Sequence, residues 1–264
     1  MVHTVSRDAT VPPMLEVIDV SRRFGGALAA DQVSFGVARG SITGLIGPNG
    51  AGKTTMFNMI AGSLKPSAGR ILLEGHAIEG EPAHRRLARG LGRTFQIPRP
   101  FPAMTVLENV LVAAGGQRGE RPFANWLSPG TVARQERALA VRAREIIAFV
   151  TLDRLADAPA GSLSGGQRKL LELARVLMAE PKLVLLDEPA AGVNPSLLEI
   201  IIDRIAALNR DGLTFLIVEH NMDLVARLCS VVHVMAGGRL LTSGAPDVVT
   251  RDARVVEAYL GGAA

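Results

Sequence analysis

The run "GPNGAGKTT", Gly47 to Thr55, sets two glycines five residues apart and follows the second directly with Lys53 and Thr54. Phosphate oxygens need several donors converging at close range. A loop of backbone N–H groups supplies them only where side chains do not block the approach, and Gly47, Gly50 and Gly52 leave it open around Pro48, Asn49 and Ala51. The preceding "ITGLIG" reads as a buried strand, and "KTTMFNMIAGSL" beyond the loop carries the spacing of one helical face. In that strand, loop and helix context Lys53 reaches the β and γ phosphates and the Thr54 hydroxyl ligates Mg²⁺, with Thr55 beside it. A glycine-rich turn without a ligand has no need of that context.

Two further stretches complete the chemistry. In "LVLLDEP" four apolar residues carry Asp187 to the C-terminal edge of a strand, where open α/β sheets bind their ligands. Asp187 can then hold Mg²⁺ through water, and Glu188 is free to polarise an attacking water as a base. "LSGGQRKLLELARVLMAEP" (163–181) puts a Ser-Gly-Gly turn at the start of a helix whose Leu170, Ala174, Leu177 and Met178 share an apolar face. This is a second anion-binding helix start. Two such ends cannot serve one nucleotide in one small domain, so the second points to a nucleotide held by a neighbour.

The elements that must position these groups follow from periodicity. "MLEVIDVSRRF" (14–24) and "QVSFGVARGSITGLIG" (32–47) alternate as strands, antiparallel at first and then continuous and apolar like a buried parallel strand. "SAGRILLEGHAI" has strand character. From about Leu87 to Ala179 the pattern is mostly helical, clearest in "TVLENVLVAA" (105–114) and 131–152, with the Gly- and Pro-rich 115–130 as a loop. Beyond Pro181, "KLVLLDEP", a helix over about 195–210, "LTFLIVEH", a helix from about Met222 and "SVVHVMAGGRLLTSG" alternate as βαβ units of a mostly parallel sheet.

Composition narrows the class. The chain has 264 residues, 48% of them apolar, yet no stretch approaches the roughly 18 uninterrupted apolar residues of a membrane span. The net charge of +4 is scattered rather than gathered into a stripe, so no nucleic acid partner is expected. Its densest runs, "HRRLARG" (84–90) and "RQERALAVRARE" (134–145), read as solvated helix faces. The single cysteine, Cys229, reads as a buried thiol, and the N-terminal residues 1–13 lack the apolar core of a secretory signal, so a frayed terminus and a cytosolic location are expected.

With "GPNGAGKTT", "LSGGQ" and "LVLLDEP" together, the sequence resembles the ATP-binding cassette (ABC) ATPases from about residue 14 onward. The resemblance implies an α/β P-loop cassette with a mostly parallel, RecA-like core sheet and an antiparallel β part (14–95 and 181–250). A helical subdomain is inserted over about 96–180, and a C-terminal helix is expected over about 246–261. It implies ATP and Mg²⁺ as ligands, and a head-to-tail dimer, of like or unlike cassettes, that sandwiches two ATP molecules. Each ATP then meets the phosphate loop of one cassette and Ser164, Gly165, Gly166 and Gln167 of the other. Further roles carried over by resemblance are adenine stacking for Phe24 in "RRFGG", contact with Mg²⁺ or water for Gln96 in "RTFQ", and a γ-phosphate contact for His220 in "LIVEH". Asn194 in "AAGVNP" stands where most of the family has Asp, so a charged contact near the nucleotide across the dimer becomes a neutral one. His76, His84 and His233 lack metal-ligand spacing and are expected to be structural or exposed.

Subfamily features narrow the resemblance to the branched-chain amino acid (LivG-type) branch: "FPAMTVLENVLVA", "DEPAAGVNP", "VEHNMDLV" and "VVEAYLGG". That branch implies an importer subunit at the cytoplasmic side of the inner membrane, with two transmembrane permease subunits and an extracytoplasmic substrate-binding protein. Phe101 and Met104, beside Gln96, suit either the reception of a permease helix or the subdomain core. Urea or short-amide importers and lipopolysaccharide export use similar subunits, and a soluble non-transport ABC ATPase is a rival from another class. A P-loop kinase or GTPase is disfavoured by "LSGGQ" and His220.

Overall fold

A computed structural model of the chain describes residues 12–95, 98–116 and 129–260. Two sheets form its frame. Strands β1 (Leu15–Phe24), β2 (Ala27–Val37), β4 (Ala68–Leu73) and β5 (His76–Ala77) make an antiparallel sheet in the order β2-β1-β4-β5. The other sheet comprises β3 (Ile42–Ile46), β6 (Leu91–Arg93), β7 (Leu183–Asp187), β8 (Thr214–Val218), β9 (Val231–Ala236) and β10 (Arg239–Gly244), ordered β10-β9-β3-β8-β7-β6. All its pairings are parallel except the β9–β10 hairpin.

Strands β3, β7 and β8 are buried along their whole length, which is why their sequences are continuous apolar runs rather than alternations. Successive side chains point to opposite faces and therefore enter different cores. Ile46, Leu186 and Ile217 join the core shared with the helical part, whereas Leu45, Leu185 and Leu216 join the core under the antiparallel sheet. Helix α1 (Lys53–Ala61) lies in the second core through Met56, Phe57, Met59 and Ile60. Gly44 lets β3 pass beneath Cys229, because a Cβ there would stand 3.2 Å from its Sγ.

The remaining α-helices among the described residues are α2 (Ala83–Ala88), α3 (Val106–Leu111), α4 (Pro129–Phe149), α5 (Gly165–Met178), α6 (Pro195–Arg210), α7 (Met222–Leu228), α8 (Pro246–Val249) and α9 (Ala253–Leu260). Helix α3 opens on a capping box between Thr105 and Glu108 and packs with α4 and α5 through Val106, Val110, Ala143, Ile147 and Leu170.

The structure corrects the sequence reading at four places. The mostly helical region from Leu87 is interrupted by β6, whose three residues are too few to show a period and which pairs Leu91 with Leu183. Pro129 and Gly130 belong to helix α4 rather than to the preceding loop, and residues 117–128 of that loop lie outside the described residues. The C-terminal helix is two helices, divided at Thr250–Asp252. In "HRRLARG", His84, Arg85 and Arg89 are exposed, but Arg86 is 1% exposed. Its Nη1 donates to the carbonyls of Met59 and Ile60, and its Nε to that of Glu81.

Candidate nucleotide site

Because β3, β6, β7 and β8 run parallel, their C-terminal ends share one edge of the sheet. At that edge Leu45 and Asp187 are both register partners of Val218. The turns that follow Ile46, Arg93, Asp187 and Val218 are thereby gathered from four distant parts of the chain.

The turn after β3 is shaped by glycines that nothing larger could replace. A Cβ on Gly47 would lie 2.1 Å from the Met235 carbonyl oxygen, and one on Gly52 would lie 2.3 Å from that of Ala29. Gly50 and Gly52 also have φ values of 78° and 94°, which side-chain-bearing residues avoid. Gly52 opens α1, so the helix's first N–H groups and its dipole face the loop. The Lys53 ammonium, 6% exposed, donates to the Gly47 and Pro48 carbonyls at 2.7 and 2.9 Å. Burial holds its pKa below the usual lysine value, against an opposing pull from Glu188. Thr54 is exposed in the first turn of α1, Thr55 is partly buried, and Asn49 and Gly50 are open to solvent.

Asp187 ends β7 and is 7% exposed. Burial raises its pKa, and the Arg93 guanidinium, 3.2 Å from Oδ2, opposes the rise. Arg93 is held from β6 by Asn58 of α1 and by the rings of Phe57 and Phe95. Glu188 follows at a φ of 47°, and its Oε1 stands 3.1 Å from His220 Nε2. Thus Glu188 and His220 are brought together, next to Asp187 and the β3 turn. Gln96 lies outside the described residues.

Phe24, 48% exposed, closes the β1–β2 hairpin, whose second strand touches Gly52 through Ala29, and Arg22 lies over its ring. The turn at the head of α5 packs beside the start of α6 and the residues just before it. Ser164 and Gln167 form a capping box, Ser164 and Gly165 are exposed, and Gly166 is pressed against Leu197, whose Cδ2 would be 2.1 Å from a Cβ. Asn194 has a local use that sequence reasoning missed: its side chain caps α6 by accepting from Leu197 N at 2.9 Å.

Three buried or half-buried groups around the site also escaped the sequence reading. Lys169 donates from α5 to the carbonyls of Glu188 and Pro189. Glu172, one turn on, accepts from Phe95 N at 2.7 Å, and burial pushes its pKa up to about 7. Glu219, 2% exposed, accepts from the backbone N–H groups of Ala190, His220 and Asn221. Their one sequence signal is a charged residue inside an otherwise apolar pattern. His233 is structural, between Ser243 Oγ and the Gly36 carbonyl, and His76 and His84 are exposed.

A glycine loop opening a helix, a lysine within it and an Asp-Glu pair at the end of β7, across β8 from the loop's own strand, define a P-loop nucleotide-binding cassette. A family model described as "ABC transporter" matches residues 30–191, and one described as "Branched-chain amino acid ATP-binding cassette transporter" matches residues 239–264. The probable branched-chain amino acid transport ATP-binding protein LivG of Archaeoglobus fulgidus is 42% identical over 252 residues, covering 94% of this chain and 95% of the relative. The high-affinity branched-chain amino acid transport ATP-binding protein LivG of Escherichia coli is 38% identical over 250 residues, covering 94% and 98%. Among solved structures, an ABC transporter cassette in its ADP conformation superposes with a TM-score of 0.81 at 36% identity, covering 95% of this chain and 99% of that one. A nucleotide-free cassette gives 0.80 at 37%, covering 93% and 98%. The chain belongs to the ABC transporter family as a nucleotide-binding, ATP-hydrolysing cassette.

Proposed function

We propose that this cassette binds ATP with Mg²⁺ on its phosphate loop, closes on a second cassette and powers the import of branched-chain or other hydrophobic amino acids. The observation that carries the site assignment is the meeting of the Lys53 loop, Asp187 and the Glu188–His220 pair at one sheet edge. Backbone N–H groups of Gly47 to Thr55 hold the phosphates, Lys53 reaches their outer oxygens and Phe24 offers its exposed ring to adenine. The donor chemistry fits Mg²⁺: a hydroxyl at Thr54 and a carboxylate at Asp187 are hard oxygen ligands, with Gln96 as a further candidate. Among the described residues no cluster of three His, Cys, Asp or Glu side chains would hold a metal alone, as suits an ion that is shared with phosphates. Once bound, the ion supplies charge neutralisation at the phosphates.

Glu188 accepts the proton of a water that attacks the γ-phosphorus, and ADP leaves with the bridging oxygen. His220, beside Glu188, orients that carboxylate and contacts the γ-phosphate. The turn that opens α5, with Ser164 and Gly165 exposed, serves the ATP of the second cassette. Asn194 shapes the neighbouring turn by capping α6. ATP shifts the pair toward closure because it binds the closed form better.

Coupling to transport runs through partners in this reading; among the described residues no helix is long and apolar enough to cross a membrane. Exposed Phe95 and Phe101 flank Gln96 and suit a docking helix of either of two permease subunits, with the cassettes at the cytoplasmic face and a binding protein opposite. The match at 239–264 and the relatives' names support amino acids as the solute, over urea, short amides or lipopolysaccharide.

Glu188→Gln tests the reading. ATP binding should persist, turnover should fall by roughly 10²- to 10⁴-fold, and a dimer should accumulate. Wild-type turnover in the assembled complex would remove Glu188 as the base. Labelled leucine and urea uptake in the assembled transporter then separates the solute classes.

A further inference from the structure

The segment Glu188 to Ala190 is held from both sides by groups that no motif reading assigns. Glu188 adopts a φ of 47°, a region that residues with side chains avoid and that persists only where the surroundings enforce it. Its N–H donates to the Val218 carbonyl at 2.9 Å. On the carbonyl side, Lys169 Nζ donates to Glu188 O at 2.5 Å and Pro189 O at 3.3 Å. On the amide side, Glu219 Oε1 accepts from Ala190 N at 2.7 Å, while its Oε2 accepts from His220 N at 2.8 Å and Asn221 N at 2.9 Å.

We infer that Lys169 and Glu219 are positioning residues that clamp the turn at Glu188, so that its carboxylate and the His220 ring stand together at the γ-phosphate position. One carboxylate joins the two turns that carry the pair. Lys169 supplies the other jaw from α5, the helix whose first turn is Ser164 to Gln167. The clamp therefore ties the base of one site to the helix offered to the neighbouring cassette's nucleotide. Both act through the main chain: among the described residues the lysine donates to carbonyls in this segment, and the carboxylate accepts from N–H groups.

This inference rests on Glu188 acting as the base, and its test separates the two. In the full chain, Lys169→Met and Glu219→Gln should each lower saturating ATP turnover at least tenfold and leave the Kd for a fluorescent ATP analogue within twofold of wild type. Lys169→Arg keeps donors for the two carbonyls and should recover most of the turnover. Thermal melting checks each fold, and the two positions lie on different elements, so either variant alone carries the test. Unchanged turnover in a folded variant overturns the clamp, and so does a parallel loss of nucleotide affinity, which marks a general structural role. Glu188→Gln runs alongside: activity surviving there removes the base assignment. Activity lost there but kept in Lys169→Met and Glu219→Gln removes the clamp alone.

Discussion

Replacing Arg86 by methionine probes how the phosphate-loop helix is anchored at its far end. The guanidinium donates to the Met59 and Ile60 carbonyls, in the last turn of α1, at 2.6 and 2.7 Å, and to the Glu81 carbonyl at 2.9 Å. The Ile60 carbonyl is one that a helix end leaves without an intrahelical partner, the Met59 carbonyl has only the 3.3 Å bond from Gly62 N besides, and a cation there also meets the negative end of the dipole. Gly62, which ends the helix, leaves room for it: a Cβ would stand 2.7 Å from Arg86 Nε. Methionine fills much of the volume but donates nothing, so three side-chain bonds to carbonyls are lost, and of these acceptors Met59 O keeps the Gly62 N–H. At roughly 1 kcal/mol net for each, and with relief of the buried charge offsetting the stronger gross bonds, the loss is about 3 kcal/mol. For a domain of this size that is a fall in Tm of about 6–12 °C. Circular dichroism melting of the full chain without nucleotide measures it, with Arg86→Lys expected between the two. A fall below about 2 °C would show that the buried cation anchors nothing.

Other perturbations test the site and its surroundings. Lys53→Ala removes the buried ammonium from the phosphate loop and should abolish tight ATP binding before any chemistry; ordinary affinity in a filter assay would take Lys53 off the phosphates. Gly47→Ala drives a methyl to 2.1 Å from the Met235 carbonyl, so the loop and β9 must part; a Tm and a nucleotide affinity equal to wild type would refute the close approach. Glu172 has a folded pKa of about 7, raised by burial above its ordinary 4.5, so the native state binds its proton more tightly. The resulting stabilisation is complete below about pH 4.5 and lost as pH rises through 7, on the order of 3 kcal/mol in all. Glu172→Gln should therefore flatten urea midpoints measured between pH 5 and 8 relative to wild type, and identical slopes would contradict the burial argument.

The strand and helix around the candidate nucleotide loop were legible because the signal is local: glycines, a lysine and a threonine at fixed spacing demand a strand before and a helix after, and β3 and α1 supply them. Asp187 and Glu188 were legible for the same reason, at the end of a five-residue apolar strand. Arg86, Arg93 and Glu219 were not, because a charged side chain reads as solvated until the tertiary fold brings it partners. Arg86 finds main-chain carbonyls in a helix that precedes it by more than twenty residues. Strand β6 was hidden by length, since three residues show no period and only pairing with β7 makes them a strand. Asn194, whose role across a dimer was inferred by resemblance, carries an ordinary capping signal just before Pro195.

The pairing of Leu91 with Leu183 has a consequence for how the chain comes to be folded. Strands β6 and β7 are sequence neighbours in the sheet, yet the whole helical insertion lies between them, and β3 must wait for β8, some 170 residues later, to gain its partner. Closing such long loops precedes any reward from contact, so assembly of this edge comes late and slowly. During synthesis, Lys53 emerges long before Asp187 and His220 exist. The Lys53 loop, Asp187 and the Glu188–His220 pair are therefore brought together only in a chain that has finished threading its strands.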